Sequence, residues 1–387
     1  MTSNRNRLTN IVRKEFIDHI RSGKFIIVFL IFLLLSAYSL HGGINMYHDA
    51  LDRYKEHIER IEDAEDTGMP MPAIPPGAVH IEGGWIHEGW MPERPSALYA
   101  FMWMSEIMPV LGAILAVVMG FDLISKERQD RTLKTLLSHP IYRDEIINGK
   151  AIGGVLVIIV AIGMTFGISL AMLLISDIVP TIGEFVNIAL FGIISVILLV
   201  SFFSIGLMAS VLFKNSGSSI IFAFGIILVI ALILPAIGQP VAGMIIGDPP
   251  EIPEVPMFRI APPPIQEGDD PPPEEPVFKI DPLVEKEWEE WHRANEAHWD
   301  RKMPITEAFA ILSPATHFGE ISAELDIGMG GMMGIMMGGG MVDDMPVEDP
   351  DIFDKLGAVW MNILALFVIP AIFFAIAYTK FMKLDIR

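Results

Sequence analysis

Cysteine is absent from the 387 residues, and charged side chains make up only 19% of them. Without thiols the chain forms no disulfide and no thiolate metal site. Three motifs of enzyme chemistry are also missing: G-x-x-x-x-G-K-[ST] for phosphate binding, H-E-x-x-H for zinc hydrolysis and G-x-S-x-G for serine hydrolysis. We therefore predict that this chain is not itself an enzyme and holds no cofactor of its own.

Long apolar runs are what the sequence has in abundance, since 52% of its residues are hydrophobic. A helix needs about 20 mostly apolar residues to cross about 30 Å of hydrocarbon. Six stretches meet this requirement, and we predict spans at residues 25–47, 101–124, 151–176, 185–213, 216–240 and 356–379. The chain is therefore predicted to be an all-α polytopic membrane protein.

Lysine and arginine are concentrated in segments that six spans would place on one side of the membrane. Residues 1–24 and 125–150 carry six basic side chains each, and the tail 380–387 carries three. The segments 48–100 and 241–355 fall on the other side and are strongly acidic. Because basic segments mark the cytoplasmic side, we predict a cell-membrane protein with both termini in the cytoplasm.

The first 24 residues have helical periodicity. Leu8, Ile11, Val12, Phe16 and Ile20 recur near helical spacing, with basic residues between them. This pattern predicts an amphipathic helix that lies in the inner membrane interface before the first span. The alternative is a solvated helix whose apolar face packs on the protein itself.

The two acidic regions are predicted to be extracytoplasmic inserts, partly helical and partly irregular. Opposite charges four residues apart after residue 48 predict that the first span continues as a helix into water. Region 241–355 opens with a proline- and acid-rich linker and continues with a tryptophan-bearing helix. One face of that helix is predicted to carry Val284, Trp288, Trp291, Asn295 and Trp299.

A glycine- and methionine-rich segment near the end of this region is too short to span, so we predict a re-entrant or interfacial segment. Thioether sulfur is a soft ligand that suits Cu(I). The candidate soft-metal ligands are Met329, Met332, Met333, Met336, Met337 and Met341, together with His317. The alternative is that these methionines are pliable apolar filler.

The segment 125–150, SKERQDRTLKTLLSHPIYRDEIINGK, is predicted to be an amphipathic cytoplasmic connection between the second and third spans. Leu133, Leu136 and Leu137 give it an apolar side, whereas Arg128 and Arg131 give it charge. Membrane topology explains the basic residues, but it does not explain the order of the others.

That order resembles the signature of ABC-2 type transporter permeases, and among them most closely the copper-enzyme maturation and sodium-efflux types. The family pattern reads E-x-x-x-G-T-x-x-x-L-L-S-x-P-x-x-R-x-x-x-x-x-G-K. The matching residues here are Glu127, Thr132, Leu136, Leu137, Ser138, Pro140, Arg143, Gly149 and Lys150. Arg131 stands where the pattern has glycine, and we expect this departure to alter the local turn.

The resemblance implies a permease subunit of an exporter whose ATP and Mg are held by a separate ATPase. It implies two ATPase copies and a second permease copy or homologue as partners, besides the lipid bilayer, and no nucleic acid. The ATPase-coupling residues implied by the resemblance are Glu127, Arg128, Thr132, Leu136, Leu137, Pro140, Arg143 and Lys150.

Two other functions stay open at this stage. The chain would be a membrane-anchored scaffold if its extracytoplasmic region did the work, or an ATP-independent channel or carrier if it moved solutes alone. Proton-driven carriers usually place ionisable groups deep within their spans. Here only Glu106 and Asp122 lie near the ends of the second span, so a proton-driven carrier is disfavoured.

Overall fold

The computed structural model describes residues 2–67, 80–81, 84–85, 94–132, 142–253, 282–328 and 352–384. Most of these residues are helical, and six helices are long and apolar enough to cross a membrane. Two short strands, His80–Ile81 and Gly84–Trp85, pair antiparallel. The predicted class, an all-α polytopic membrane protein, is confirmed.

Twelve α-helices are numbered here in chain order, all of them within the described residues. They are α1 (Thr2–Ile20), α2 (Gly23–Thr67), α3 (Met102–Gly120), α4 (Ser125–Gln129), α5 (Arg143–Ile175), α6 (Ile182–Leu212), α7 (Ser216–Ile227), α8 (Leu234–Ile246), α9 (Pro282–Ala310), α10 (Pro314–Glu324), α11 (Ile352–Ala358) and α12 (Trp360–Met382). A 3-10 turn at Ala97–Phe101 precedes α3, and a π-helical segment at Leu228–Ile233 joins α7 to α8.

The six candidate spans are Gly23–Arg60, Ala97–Gln129, Arg143–Ile175, Ile182–Leu212, Ser216–Ile246 and Trp360–Met382. Two of them differ most from the predicted bounds. The first span belongs to a single helix of 45 residues, about 68 Å long at 1.5 Å per residue. The third span begins at Arg143, so residues 143–150 form its first turns rather than part of a loop.

The described chain divides into two compact units. The first comprises Met1–Leu51, Pro95–Ala236 and Ala310–Arg387, and the second comprises Asp52–Arg94 and Ile237–Phe309. In the first unit α3 and α6 form the core, since 61% of the most apolar stretch of the second and fourth spans is buried, against 22% for the sixth. The second and fourth spans are therefore the scaffold around which the first unit packs.

The backbones of α3 and α6 come into direct contact where two glycines face each other. A Cβ on Gly120 would lie 2.8 Å from the Phe203 carbonyl oxygen and 2.9 Å from the Leu207 nitrogen. A Cβ on Gly206 would lie 3.2 Å from the Cα of Gly120. Small residues let helices approach this closely in a membrane, and here they fix where the two core spans cross.

The other end of the same two spans is joined through one carboxylate. Thr181 caps α6 by accepting a hydrogen bond from the Glu184 amide. The Glu184 carboxylate in turn accepts a hydrogen bond from the Thr181 amide at 2.7 Å. Glu184 also accepts bonds from the Ser96 hydroxyl at 2.6 Å and the Ala97 amide at 2.7 Å. A capping box therefore both starts α6 and holds the lead-in to α3.

A short helix, α10, packs inside the first unit against α6 and α12. Ser313 caps it by accepting a hydrogen bond from the Thr316 amide, and Pro314 occupies its first turn. Phe318 and Ile321 are fully buried. The helix has only 11 residues and cannot span. The predicted re-entrant segment around residues 329–341 follows α10 and lies outside the described residues.

The second unit contains α9, whose predicted tryptophan face is correct except at its last position. Trp288 and Trp291 are half-buried, and the Trp291 indole donates to the Pro250 carbonyl at 3.2 Å. The face ends at His298, which is 3% exposed, whereas Trp299 is 39% exposed. His298 is seven residues after Trp291, which is about two helical turns, so it lies on the same face of the helix as Trp291. Trp299 is one residue further and lies off that face.

Candidate functional site

One end of the first unit gathers most of the signature residues. It is formed by α1, residues 121–132, the start of α5, the turn 213–215 and the end of α12, and is called the basic end below. The Lys24 ammonium lies 2.6 Å from the Asp122 carboxylate, which joins the start of the first span to the end of the second. The segments predicted to share the cytoplasmic side therefore do meet at one end of the unit.

The turn after α3 is fixed to α6 by serine hydroxyls. Ser210 accepts hydrogen bonds from the amides of Ile124 at 2.8 Å and Ser125 at 3.0 Å. The hydroxyls of Ser125 and Ser219 both donate to the Phe121 carbonyl, at 2.9 and 2.7 Å. These bonds satisfy the backbone groups that the break between α3 and α4 leaves open, so the turn is held to the spans at fixed points.

Two arginines cover the carbonyl ends of two different spans. The Arg128 guanidinium donates to the carbonyls of Val211 at 3.1 Å and Phe213 at 3.3 Å, at the end of α6. Arg143 donates to the carbonyls of Met382 at 3.1 Å and Leu384 at 2.8 Å, at the end of α12. A cation at a helix C-terminus satisfies free carbonyls and complements the helix dipole.

A buried lysine joins three helices. Lys150 of α5 is 4% exposed at its side chain, and its ammonium donates to Glu15 of α1 at 2.9 Å and lies 2.7 Å from Glu127 of α4. We call these three residues the buried triad. A buried ammonium is tolerated only when it is paired and hydrogen-bonded, and here two carboxylates do this from separate helices.

Two glycines let α1 approach α5 closely enough for the triad to form. A Cβ on Gly149 would lie 2.5 Å from the Ile11 side chain, and one on Gly153 would lie 2.8 Å from the Glu15 Cβ. The apolar face of α1 is therefore covered, at least in part, by the third span. Of the two interpretations of this helix, packing on the protein is the one seen in these contacts.

The opposite side of α4 is open. Lys126, Gln129, Asp130, Arg131 and Thr132 are all exposed, and we call them the exposed face of α4. Of the eight predicted coupling residues, five are described: Thr132 lies on this face, and the others point back into the unit. Leu136, Leu137 and Pro140 lie outside the described residues.

The sequence itself decides the family. Residues 9–386 match the model of the family described as ABC-2 family transporter protein. The chain belongs to this family. No curated protein matches it. The match covers nearly the whole permease, including the acidic regions that the signature segment alone does not reach.

Arg131 of the permease has a backbone conformation that favours glycine. Its φ is 58°, in the left-handed region, directly after the last turn of α4 and its cap residue Asp130. Helices commonly end with a glycine in this conformation. The turn therefore has a conformation that glycine favours, and the expectation that the arginine alters it stays a prediction.

The strain at this position predicts an order of stabilities. A left-handed conformation costs an ordinary residue roughly 1–2 kcal/mol and a β-branched residue more. We expect Arg131→Val to lower the unfolding temperature in detergent, and Arg131→Gly to keep or raise it. Asp130, with φ of −82°, is the control, and Asp130→Val should have a smaller effect than Arg131→Val. Equal losses at both positions would contradict a strained Arg131.

His19 of α1 is a further titratable group beside the triad. Its Nε2 atom is shielded from solvent and has no hydrogen-bond partner among the described residues. Burial lowers the pKa of His19 below its usual value. Glu15 opposes this, Lys150 adds to it, and Asp122 and Asp18 oppose it more weakly. The neutral imidazole is therefore the form that suits the packed helix.

The permease should lose stability on acidification through His19. Because the pKa is lower when folded than when unfolded, the contribution of His19 is complete above about pH 6.5 and is lost as the pH falls through the folded pKa. We expect the drop in unfolding temperature between about pH 7.5 and about pH 5.5 to be smaller in His19→Gln than in the wild type. The exposed His292 is the control, and its glutamine variant should behave as the wild type. A His19→Gln drop as large as that of the wild type would contradict the assignment.

The soft-metal hypothesis can be compared with the structure at one ligand only. Both ring nitrogens of His317 are engaged: Nδ1 lies 2.8 Å from the Asn362 Oδ1 atom and Nε2 lies 3.0 Å from the Ile311 carbonyl oxygen. No group of three or more His, Asp or Glu side chains in the described part of the chain is arranged to hold a metal ion. The six methionines lie outside that part.

Sequence reasoning missed Glu15 as a site residue. Its helix was judged by its apolar spacing, and Glu15 falls directly before Phe16, on the border of that apolar face. A carboxylate there is a usable signal only if a basic partner on another helix is known. Lys150 is 135 residues away, so the pairing depends on the packing of α1 on α5.

Proposed function

We propose that this permease is the transmembrane subunit of an ATP-binding cassette exporter, driven by a separate ATPase that docks on the basic end. The observation that carries the proposal is the buried triad, which ties α4 to the third span and to the N-terminal helix. We further propose that this end faces the cytoplasm, that ATP and Mg belong to the partner, and that two permeases act with two ATPases.

The contacts of the described residues support a division of roles within the signature. Glu127, Arg128, Arg143 and Lys150 all contact other helices of the permease. They are placed to transmit movement rather than to touch a partner. The exposed face of α4 is the surface on which an ATPase would press.

A force on that exposed face would reach several spans at once. Ser210 and Arg128 attach the segment to α6, and the triad attaches it to α5 and α1. Packed helices move as rigid elements rather than deforming continuously. Closure of the ATPases would therefore displace the second, third and fourth spans together, which is the movement that an exporter needs.

The experiment uses the tagged full chain, purified from its native membranes and reconstituted in nanodiscs. We expect an ATPase to copurify and its hydrolysis rate to rise in the presence of the permease. Reversing the charges of the exposed face, with Lys126→Glu and Asp130→Lys, should abolish copurification. Glu127→Gln should leave copurification intact but remove the stimulation of hydrolysis.

The matched control for charge reversal is Lys14→Glu, since Lys14 is an exposed lysine of α1 that does not belong to the exposed face of α4. This variant should copurify with the ATPase as the wild type does. Absence of an ATPase from the wild-type preparation would overturn the proposal and favour a scaffold or an ATP-independent carrier. Loss of copurification in Glu127→Gln but not in the charge-reversed variant would overturn the division of roles.

A further inference from the structure

A cleft of about 240 Å³ lies between α5 and α6, along the halves of these helices that are nearest to the turn 176–181. It is lined by Ile159, Ile162, Gly163, Phe166, Leu170, Phe185, Ile188, Ala189, Gly192, Ile193 and Val196. None of these side chains carries a hydrogen-bonding group. The third and fourth spans form both walls, so the cleft lies within the membrane-spanning part of the permease.

Two glycines open the cleft. A Cβ on Gly163 would meet no atom within 4 Å, so the cleft reaches the helix backbone at this position. A Cβ on Gly192 would come no closer than 3.4 Å to the Phe166 ring. Ile162 and Ile188 are buried at the floor, and Phe185 and Ile193 are 50% and 56% exposed at the lips. The cleft is therefore a groove with a tight apolar floor and an open side.

The size and chemistry of the groove limit what it can hold. Pockets for drug-sized molecules measure about 300–1,000 Å³ and contain a few polar groups that fix orientation, whereas this groove is smaller and has none. A helix with its side chains is about 10–12 Å across and does not enter a gap between two packed helices. A thin, flexible hydrocarbon chain fits both limits.

We propose that the groove binds one acyl chain of a bilayer phospholipid. Lipid hydrocarbon surrounds this part of the spans. Because Gly163 and Gly192 have no side chains to fill the groove, its walls lack dispersion contacts, and an acyl chain in the groove supplies them. The turn between the two helices contains no lysine or arginine, so the binding selects the chain and not an anionic headgroup. This inference rests on the membrane spans alone and stands whether or not an ATPase docks.

The groove can be filled by a single substitution with a matched control. Gly163→Phe places a ring in the groove where the backbone leaves room. Gly167→Phe is the control, because a Cβ there also meets no atom within 4 Å but Gly167 does not line the groove. Gly163→Leu carries the same test if the phenylalanine variant fails to reach the membrane.

The test reconstitutes the full chain in nanodiscs that contain a phosphatidylcholine with a diazirine in the middle of one acyl chain. After irradiation, the wild type and Gly167→Phe should carry lipid adducts on residues 159–170 and 185–196. In Gly163→Phe these adducts should fall to the level found on other lipid-facing residues. Equal labelling in Gly163→Phe and the wild type would overturn the proposal. So would a wild type without adducts in the groove, as expected if a second copy of the chain covered it.

Discussion

Lys150→Met is expected to be the most damaging single change at the basic end. It leaves Glu15 and Glu127 close together with no cation between them, and removing one partner of a buried ion pair costs roughly 3–5 kcal/mol. We expect a loss near the lower limit, about 3 kcal/mol, because the Glu127 side chain is 21% exposed and partly screened. The unfolding temperature in detergent measures the effect.

The control and a compensating variant separate charge from packing. Lys14→Met removes an exposed lysine from the same end and should change the unfolding temperature little. Combining Lys150→Met with Glu15→Gln and Glu127→Gln removes the unpaired charges and should recover most of the stability. If the triple variant is as unstable as Lys150→Met alone, the loss does not arise from uncompensated buried carboxylates.

The same triple variant also distinguishes stability from coupling. In the proposed mechanism the triad joins three helices. The two glutamines and the methionine of the triple variant do not replace the ionic hydrogen bonds of the triad. We therefore expect the triple variant, with its stability recovered, to copurify with an ATPase but to lose the stimulation of ATP hydrolysis. Full stimulation would mean that the triad only stabilises the fold.

Gly120→Leu is expected to prevent the two core spans from meeting. The nearest atoms to an added Cβ belong to the backbone of α6 at 2.8 and 2.9 Å, and a helix backbone cannot yield as a flexible side chain can. Gly120→Ala alone should cost about 1–3 kcal/mol, the range for overpacking. The leucine variant should fail to accumulate as folded protein, as measured by size-exclusion chromatography in detergent.

Gly225→Ala is the matched control for the alanine variant. It lies in the fifth span, where a Cβ would meet no atom within 4 Å, so the substitution should be neutral or stabilising. Similar behaviour of the two alanine variants would contradict a backbone contact at Gly120. Because Gly120 directly precedes the turn to α4, its alanine variant should also weaken the stimulation of ATP hydrolysis.

The spans were predictable from sequence because burial in lipid demands long apolar runs, and such runs are hard to mistake. Their ends were less so. The third span starts at Arg143 because charged residues in its first turns are paired within the protein: Arg143 with carbonyls of the last span, and Lys150 with the triad. A search for charge-free stretches excludes these residues, although their charges are satisfied.

The signature order assigned one coupling role to all its residues, whereas the described ones contact different partners within the permease. Whether a charged side chain faces a partner or its own protein depends on tertiary contacts, which a pattern along the chain does not contain. Glu15 had no signal at all, since its partner is 135 residues away. The left-handed φ of Arg131 was also not predictable, because residue identity limits a backbone angle without fixing it.

The triad also sets an order of assembly during biosynthesis. α1 leaves the ribosome before α5, and its Glu15 cannot pair with Lys150 until α5 has been made and inserted. The N-terminal helix therefore cannot reach its final place while the first two spans stand alone. The docking of α1 therefore follows the insertion of the third span.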